Sequence, residues 1–430
     1  MDLFDASLPF LKVIGAFILM LAGIRNKLGL SLSILLGGLV MGLLFGLSVA
    51  GCFHASVFGL VQEKFLYLVV IVGTILILSD ALEKSGQSAR LMDALSGYLV
   101  NPRLRTIFFP ALIGLLPMPG GAVFSAPMVK AVSGEMNLKD EDRVVINYWF
   151  RHVWEVAWPL YPGIILTVAL ADIPISDFIS KSWPGVIAMF AIGWFFFLRA
   201  ETLNKISPVK KLKPIERNHR TVMKEGLPLI IAICGAVFLE TALLKFIPDV
   251  PFEWGVIAAL VAAITCVMMQ NRLGHHFLFV VLLKKSLWSM IMVIAAIFIF
   301  KEVMQAAGIV EAMAASAGGS IALFTVAVFF PFLIGMVAGI NVAFVGATFP
   351  LLIGLLHSLG MGGDIIPYLI LGTFSGFTGV MVSPLHICFV LTCNYFNVDI
   401  VRAWRRLIVP SICFGLFGVA LFFFFLECKI

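Results

Sequence analysis

Charge is what this sequence has least of. Asp, Glu, Lys and Arg make up 13% of its 430 residues, about half the share found in a soluble globular protein. A protein folded in water has to cover itself with polar groups, and this chain has too few. The deficit excludes a cytosolic enzyme, a nucleic-acid binder and a disordered chain. Paired cysteine spacing is also missing. The seven cysteines, Cys52, Cys234, Cys266, Cys388, Cys393, Cys413 and Cys428, lie in or beside apolar stretches without a CxxC. Neither a disulfide framework nor a zinc site is expected from that spacing, and the thiols read as small buried hydrophobes. No GxxxxGK[ST] occurs, so transport driven by an ATPase of this chain is excluded. No cofactor and no catalytic group is expected. Met1 to Ile24 carries Asp2 and Asp5 where a signal peptide has a basic region, and it reads as a span instead.

What the sequence does have is apolar length: 61% hydrophobic residues, 39 Phe and a mean hydropathy of +1.06. The expected fold is an all-α membrane protein with about ten transmembrane helices and two re-entrant hairpins. Runs of roughly 20 residues, enough to cross the hydrocarbon, lie at 8–24, 28–50, 65–83, 144–170, 183–199, 227–247, 253–270, 286–304, 367–396 and 407–427. Two stretches, 104–131 and 321–356, do not behave as single spans. The first is interrupted by Pro117-Met118-Pro119-Gly120-Gly121, which no helix carries through, and a re-entrant hairpin fits it. The second has Gly339-Ile340-Asn341 and Gly346 near its centre and reads either as a hairpin or as two tilted helices.

Charge sets the orientation. With the Arg25/Lys27 turn inside and the spans alternating, 23 of the 30 Lys and Arg fall on the inner face and five on the outer, a positive-inside distribution. It arises only if both hairpin stretches return to the side they enter. Both termini are then external, in a multi-pass cell (inner) membrane protein. The basic segment 201–226 is a cytoplasmic linker between two units, 1–200 and 227–430. The net charge of +6 is orientation charge and calls for no nucleic acid.

The two units resemble each other. Phe108-Phe109-Pro110-Ala111-Leu112-Ile113-Gly114 matches Phe329-Phe330-Pro331-Phe332-Leu333-Ile334-Gly335 at six of seven positions, 221 residues on. Pro159-Leu160 and Leu166-Thr167 recur as Pro384-Leu385 and Leu391-Thr392 at an offset of 225, and Gly86 recurs as Gly308 at 222. Five crossings and a hairpin per unit make the second unit enter the membrane the other way round. This is an inverted-topology repeat, the architecture of many secondary transporters.

In such folds substrates bind near the midplane, where helices break and free their termini. The sequence offers four interruptions: two hairpin tips, Pro117–Gly121 with Ser125 following and Gly339–Gly346 with Asn341, and two overlong spans, 144–170 and 367–396, with Pro beyond their middles. The expected substrate-binding residues are Gly120, Gly121, Ser125, Asn341, Ser375 and Thr378, with Arg151, His152 and Glu155. Arg151 lies eight residues past Arg143, so roughly 12 Å into the membrane at 1.5 Å per residue. An ionised group at that depth faces a cavity or a partner. Arg151 and Glu155 can be a self-neutralising i,i+4 pair, or Arg151 can hold an anion with its planar fork. His152 and Glu155 would then titrate or touch substrate. His386 is a weaker candidate in the second overlong span. The first hairpin tip is poor in side-chain oxygens, and two titratable groups sit at membrane depth, so H⁺ is favoured over Na⁺ as coupling ion. Lipid bilayer and a small anionic substrate are the expected partners.

The hairpin Leu116-Pro117-Met118-Pro119-Gly120-Gly121-Ala122-Val123-Phe124-Ser125-Ala126-Pro127-Met128 carries a resemblance, as does Arg151-His152-Val153-Trp154-Glu155 with Pro159-Leu160-Tyr161-Pro162-Gly163. In these the chain resembles the integral-membrane family of domain of unknown function 401, within the ion-transporter superfamily of secondary carriers. The superfamily implies a homodimer with a scaffold and an elevator-type moving region, and organic or inorganic anions carried with Na⁺ or H⁺. The function expected is ion-coupled secondary transport of a small organic anion, a carboxylate, by alternating access. The alternative is a membrane-embedded enzyme that uses His152 and Glu155 on a lipid-linked substrate.

Overall fold

A computed structural model describes residues 3–99, 101–115, 121–134, 136, 138–198, 217–247, 250–251, 253–315 and 323–428. Among these residues all regular structure is helical, and nine helical stretches are long and apolar enough to cross a membrane. The first half runs α1 Leu3–Arg25, α2 Leu30–Leu44, α3 Val49–Val61, α4 Glu63–Lys84, α5 Gln87–Ser96, α6 Pro102–Gly114, α7 Ala122–Val132, α8 Asp140–Arg151, α9 Pro162–Ala171, α10 Ile175–Ser182 and α11 Pro184–Phe197. The second runs α12 His219–Phe246, α13 Glu253–Asn271, α14 His275–Leu282, α15 Lys285–Ala306 and α16 Ile309–Ala315. A π-helical turn Thr325–Phe329 leads into α17 Phe330–Ala338, followed by α18 Asn341–Ser358, α19 Ile365–Met381, α20 Ile387–Phe396 and α21 Ile400–Cys428. Residues 201–216 of the basic linker and 116–120 of the first hairpin tip lie outside the described residues.

Helix bounds recur along the chain. α4 and α15 have 22 residues each, displaced by 222, and α9 and α20 have 10 each, displaced by 225. Both α9 and α20 end on a left-handed residue, Asp172 (φ 57°) and Asn397 (φ 53°), the two side-chain types that tolerate that conformation best after glycine. The helices that follow begin at Ile175 and Ile400. The halves also exchange partners. α2 packs on α15 and α13 on α4, while α7 packs on α20 and α18 on α9.

The repeated FFP-x-LIG motif acquires a physical reason here. A Cβ on Gly114 would lie 2.1 Å from the carbonyl oxygen of Arg151, and one on Gly335 would lie 2.2 Å from that of Gly376. Gly376 follows Arg151 by 225 residues. At both places the glycine lets a hairpin arm touch the backbone of the broken span beside it.

One apolar run is not one helix. The stretch 28–50 divides into α2 and α3 at Gly46, whose φ is 91°. Ser48 restarts the chain, its Oγ accepting from Gly51 N at 3.0 Å. A glycine at positive φ and a serine N-cap override hydropathy here. The arms of the first hairpin, α6 and α7, have 13 and 11 residues. At 1.5 Å per residue these are about 20 and 17 Å long, short of roughly 30 Å of hydrocarbon.

Bulky apolar side chains such as Val49, Phe53, Phe238, Phe246 and Met269 are exposed, as lipid-facing positions are in a membrane protein. The largest fully buried side chains include Tyr148, Trp149, Phe150, Phe374, Phe377 and Phe389. Tyr148, Trp149, Phe150 and Phe389 lie beside the ends of α8 and α20, so part of the core sits where the helices break.

Candidate functional site

α8 starts on the acidic run Asp140-Glu141-Asp142, which complements its N-terminal dipole. The Asp142 carboxylate accepts from Lys139 N at 3.1 Å and pairs with Arg406 at 2.6 Å. The helix stops at Arg151, and residues 152–161 form a chain of turns before Pro162 opens α9. In the second half α19 stops at Met381, and 382–386 link it to α20. The two breaks meet. The Tyr148 hydroxyl donates to Val380 O at 3.2 Å, and the His152 and His386 rings stack edge to face with centroids 4.7 Å apart.

Each hairpin tip reaches these breaks. Asn341, the first residue of α18, donates from Nδ2 to Glu155 Oε2 at 2.8 Å. A Cβ on Gly163 would lie 3.0 Å from Asn341 Cβ, so the N-termini of α9 and α18 abut. Gly339, at φ 66°, comes against His386, with its would-be Cβ 3.1 Å from His386 Cα. From the first hairpin, Gly121 lies under the Arg151 guanidinium, where a Cβ would be 2.3 Å from Nη2. Four helix N-termini (α7, α9, α18 and α20) therefore converge around Arg151, together with the C-termini of the helices that precede them. N-termini offer unpaired N–H donors and C-termini unpaired carbonyls. The side chains among them set the local charge.

Water cannot satisfy those freed carbonyls inside a bilayer, so the protein must. At the end of α6 three aromatic residues of the first break do so. Trp154 Nε1 donates to Ala111 O at 2.7 Å, Trp158 Nε1 to Leu115 O at 3.0 Å and the Tyr161 hydroxyl to Gly114 O at 2.6 Å. Trp404 Nε1 does the same for Val382 O at the end of α19, at 2.7 Å.

Of the residues expected to bind substrate, Arg151, His152, Glu155, Gly121 and Asn341 come together. Arg151, His152 and Glu155 are buried, and Arg151 is hydrogen-bonded to Tyr161. Because α8 ends at Arg151, the helical i,i+4 geometry expected for Arg151 and Glu155 does not form. Glu155 lies in the break, with Asn341 at 2.8 Å and His152 Nε2 at 3.7 Å from its oxygens. Ser125 is buried one turn into α7, its hydroxyl toward Ala122 O at 3.4 Å. Ser375 and Thr378 lie elsewhere. Ser375 donates to Val328 O at 2.7 Å, bracing α19 against the π turn, and Thr378 donates to Phe374 O and faces Gly415 of α21. Gly120 lies outside the described residues.

Sequence reasoning missed Tyr148, Tyr161, Asn147 and Cys388. Tyr161 had a usable signal, since the 225 offset sets it opposite His386. Asn147 reaches across the halves, its Nδ2 donating to Thr392 Oγ1 at 3.1 Å. Spacing along the chain also held no metal set, yet the fold gathers His152, His386 and Cys388.

None of the curated proteins compared with the chain matches it. One family model, described as "Protein of unknown function (DUF401)", matches residues 10–424. The match takes in both halves, both breaks and both hairpins, and the chain belongs to the DUF401 family of membrane proteins.

Proposed function

We propose that this protein is a secondary transporter that carries a small organic anion, a carboxylate, with H⁺ by alternating access. One observation carries the reading. Two broken helices and two hairpin tips, drawn crosswise from two related halves, meet around a buried arginine. The N-termini of α7, α9, α18 and α20 supply N–H donors suited to a carboxylate, and Arg151 supplies a planar, permanently charged fork. Glu155 and His152 beside it are titratable groups that can take up the coupling proton. Irregular backbone at membrane depth is tolerated where it lines a cavity or is buried in protein, and secondary carriers use it for their sites. The short arms α6 and α7 suit a re-entrant hairpin that travels with an elevator-type moving region, and a homodimer would supply the fixed scaffold.

The test is a thermal-shift screen of the full-length protein in detergent against mono-, di- and tricarboxylates at two pH values and two Na⁺ concentrations. A ligand that binds only the folded state raises Tm. For the carboxylate found, Arg151→Lys should weaken binding by about 1.5–3 kcal/mol, the worth of a charged hydrogen bond. Normal binding by the Arg151→Gln/Glu155→Gln double variant would refute the role given to this pair. In proteoliposomes an inward proton gradient without Na⁺ should drive accumulation, and Glu155→Gln should keep exchange while losing accumulation. Accumulation that follows Na⁺ and ignores pH would overturn the choice of coupling ion.

A further inference from the structure

His152, His386 and Cys388 are all buried, and one ligand atom from each (a ring nitrogen or the sulfur) lies within 4.8 Å of the others. Theirs is the only such grouping of His, Cys, Asp and Glu among the described residues. His152 comes from the first break, while His386 and Cys388 come from the second break and the first turn of α20.

The His152 ring has the geometry of a ligand with its outer hydrogen bond in place. His152 Nδ1 lies 2.5 Å from Tyr148 O. A carbonyl only accepts, so Nδ1 carries the proton and Nε2 the lone pair, the tautomer that metal-binding histidines adopt when a carbonyl orients them. That Nε2 is turned to Cys388, to which the His152 side chain is hydrogen-bonded, while Nδ1 of His386 is buried with no hydrogen-bond partner. A partnerless ring nitrogen in a dry interior is costly, and an ion held by all three side chains would satisfy it. Glu155 Oε1 lies 3.7 Å from His152 Nε2 but outside the group of three.

We propose that His152, His386 and Cys388 form a binding site for a zinc-class divalent metal ion that bridges the two halves. Two imidazoles and a thiolate suit tetrahedral Zn²⁺ with its fourth position open to an outside ligand, with Zn–N of about 2.0–2.1 Å and Zn–S of about 2.3 Å. Ligand atoms in such a tetrahedron stand roughly 3.4–3.8 Å apart, so the cluster closes by about an ångström on loading. Mg²⁺ and Ca²⁺, which want shells of oxygen, do not fit this set. Zn²⁺ with one thiolate keeps one positive charge, which adds to that of Arg151 in attracting an anion. The site exists only while the two breaks are in contact, so a bound ion holds them together. The inference does not rest on the carrier reading, and with an ion bound the proton of that reading falls to Glu155 alone.

The test uses the full-length protein in detergent, stripped with a chelator and titrated with ZnCl2 and, in parallel, CoCl2. Zn²⁺ should raise Tm to a plateau at one ion per chain, and Co²⁺ should give a thiolate-to-metal charge-transfer band. Cys388→Ser should abolish the band, and His386→Gln should weaken Zn²⁺ binding at least tenfold. A chain that keeps Cys388 as its sole cysteine should retain the band, a readout that needs no ligand variant to fold. No saturating Tm rise and no band in the unaltered protein would overturn the proposal, as would a band that survives Cys388→Ser.

Discussion

Two glycines beside Arg151 separate a packing role from a binding role. A methyl on Gly114 meets the Arg151 carbonyl, which is backbone and cannot give way, whereas one on Gly121 meets the far end of the guanidinium, which can. Gly114→Ala should therefore cost about 1–3 kcal/mol of stability, the usual range for overpacking, and Gly335→Ala, its equivalent in the second half, a similar amount. Gly121→Ala should unfold near the temperature of the unaltered protein but bind the proposed carboxylate more weakly, because Arg151 is displaced. Thermal unfolding and ligand titration of the three variants check this. Equal stability loss in all three would remove the distinction. The repeat motif itself was legible in the sequence, but the reason for its glycine was not, since the atom it accommodates belongs to α8, more than thirty residues away.

At the scale of elements, the ends of helices carry the argument. The overlong apolar spans 144–170 and 367–396, each with Pro past its middle, hold two helices apiece, α8 with α9 and α19 with α20. Where each helix stops was less legible. Pro159 and Pro162 suggest a late break, yet α8 ends at Arg151 and ten residues of turns follow. Those turns are held by Trp154, Trp158 and Tyr161 donating to the end of α6, a long-range pairing that no local pattern announces. The division of 28–50 was hidden the opposite way, because a strong apolar run masked Gly46 and Ser48. If the tryptophans act as caps, Trp154→Phe keeps most of the ring but leaves Ala111 O unpaired, and should destabilise by about 1–3 kcal/mol. Trp404→Phe should do likewise at the end of α19. Unfolding in detergent reads both, and a cost-free Trp154→Phe would mean that water reaches the end of α6.

For the whole molecule the open matter is how the two halves lie relative to the membrane. The exchange of partners between halves and the 222- and 225-residue displacements of helix bounds support an approximate two-fold relation, and its inversion is the proposal that labelling tests. The ion pairs agree with the orientation inferred from charge. Lys64–Asp172 joins two stretches assigned to the outer face, while Arg90–Glu225 and Arg406–Asp142 join stretches assigned to the inner face. Lys284, of the inner set, pairs with Asp80 in the last turns of α4. Asp177 and Arg402 are exposed and occupy equivalent places after α9 and α20, 225 residues apart. Inversion requires equivalent positions to face opposite sides of the bilayer. On a background without cysteine, Asp177→Cys should react with an impermeant maleimide from outside the cell and Arg402→Cys only after the membrane is opened. Labelling of both from the same side would leave the repeat parallel, and a parallel repeat cannot give the two halves the opposed roles that alternating access needs.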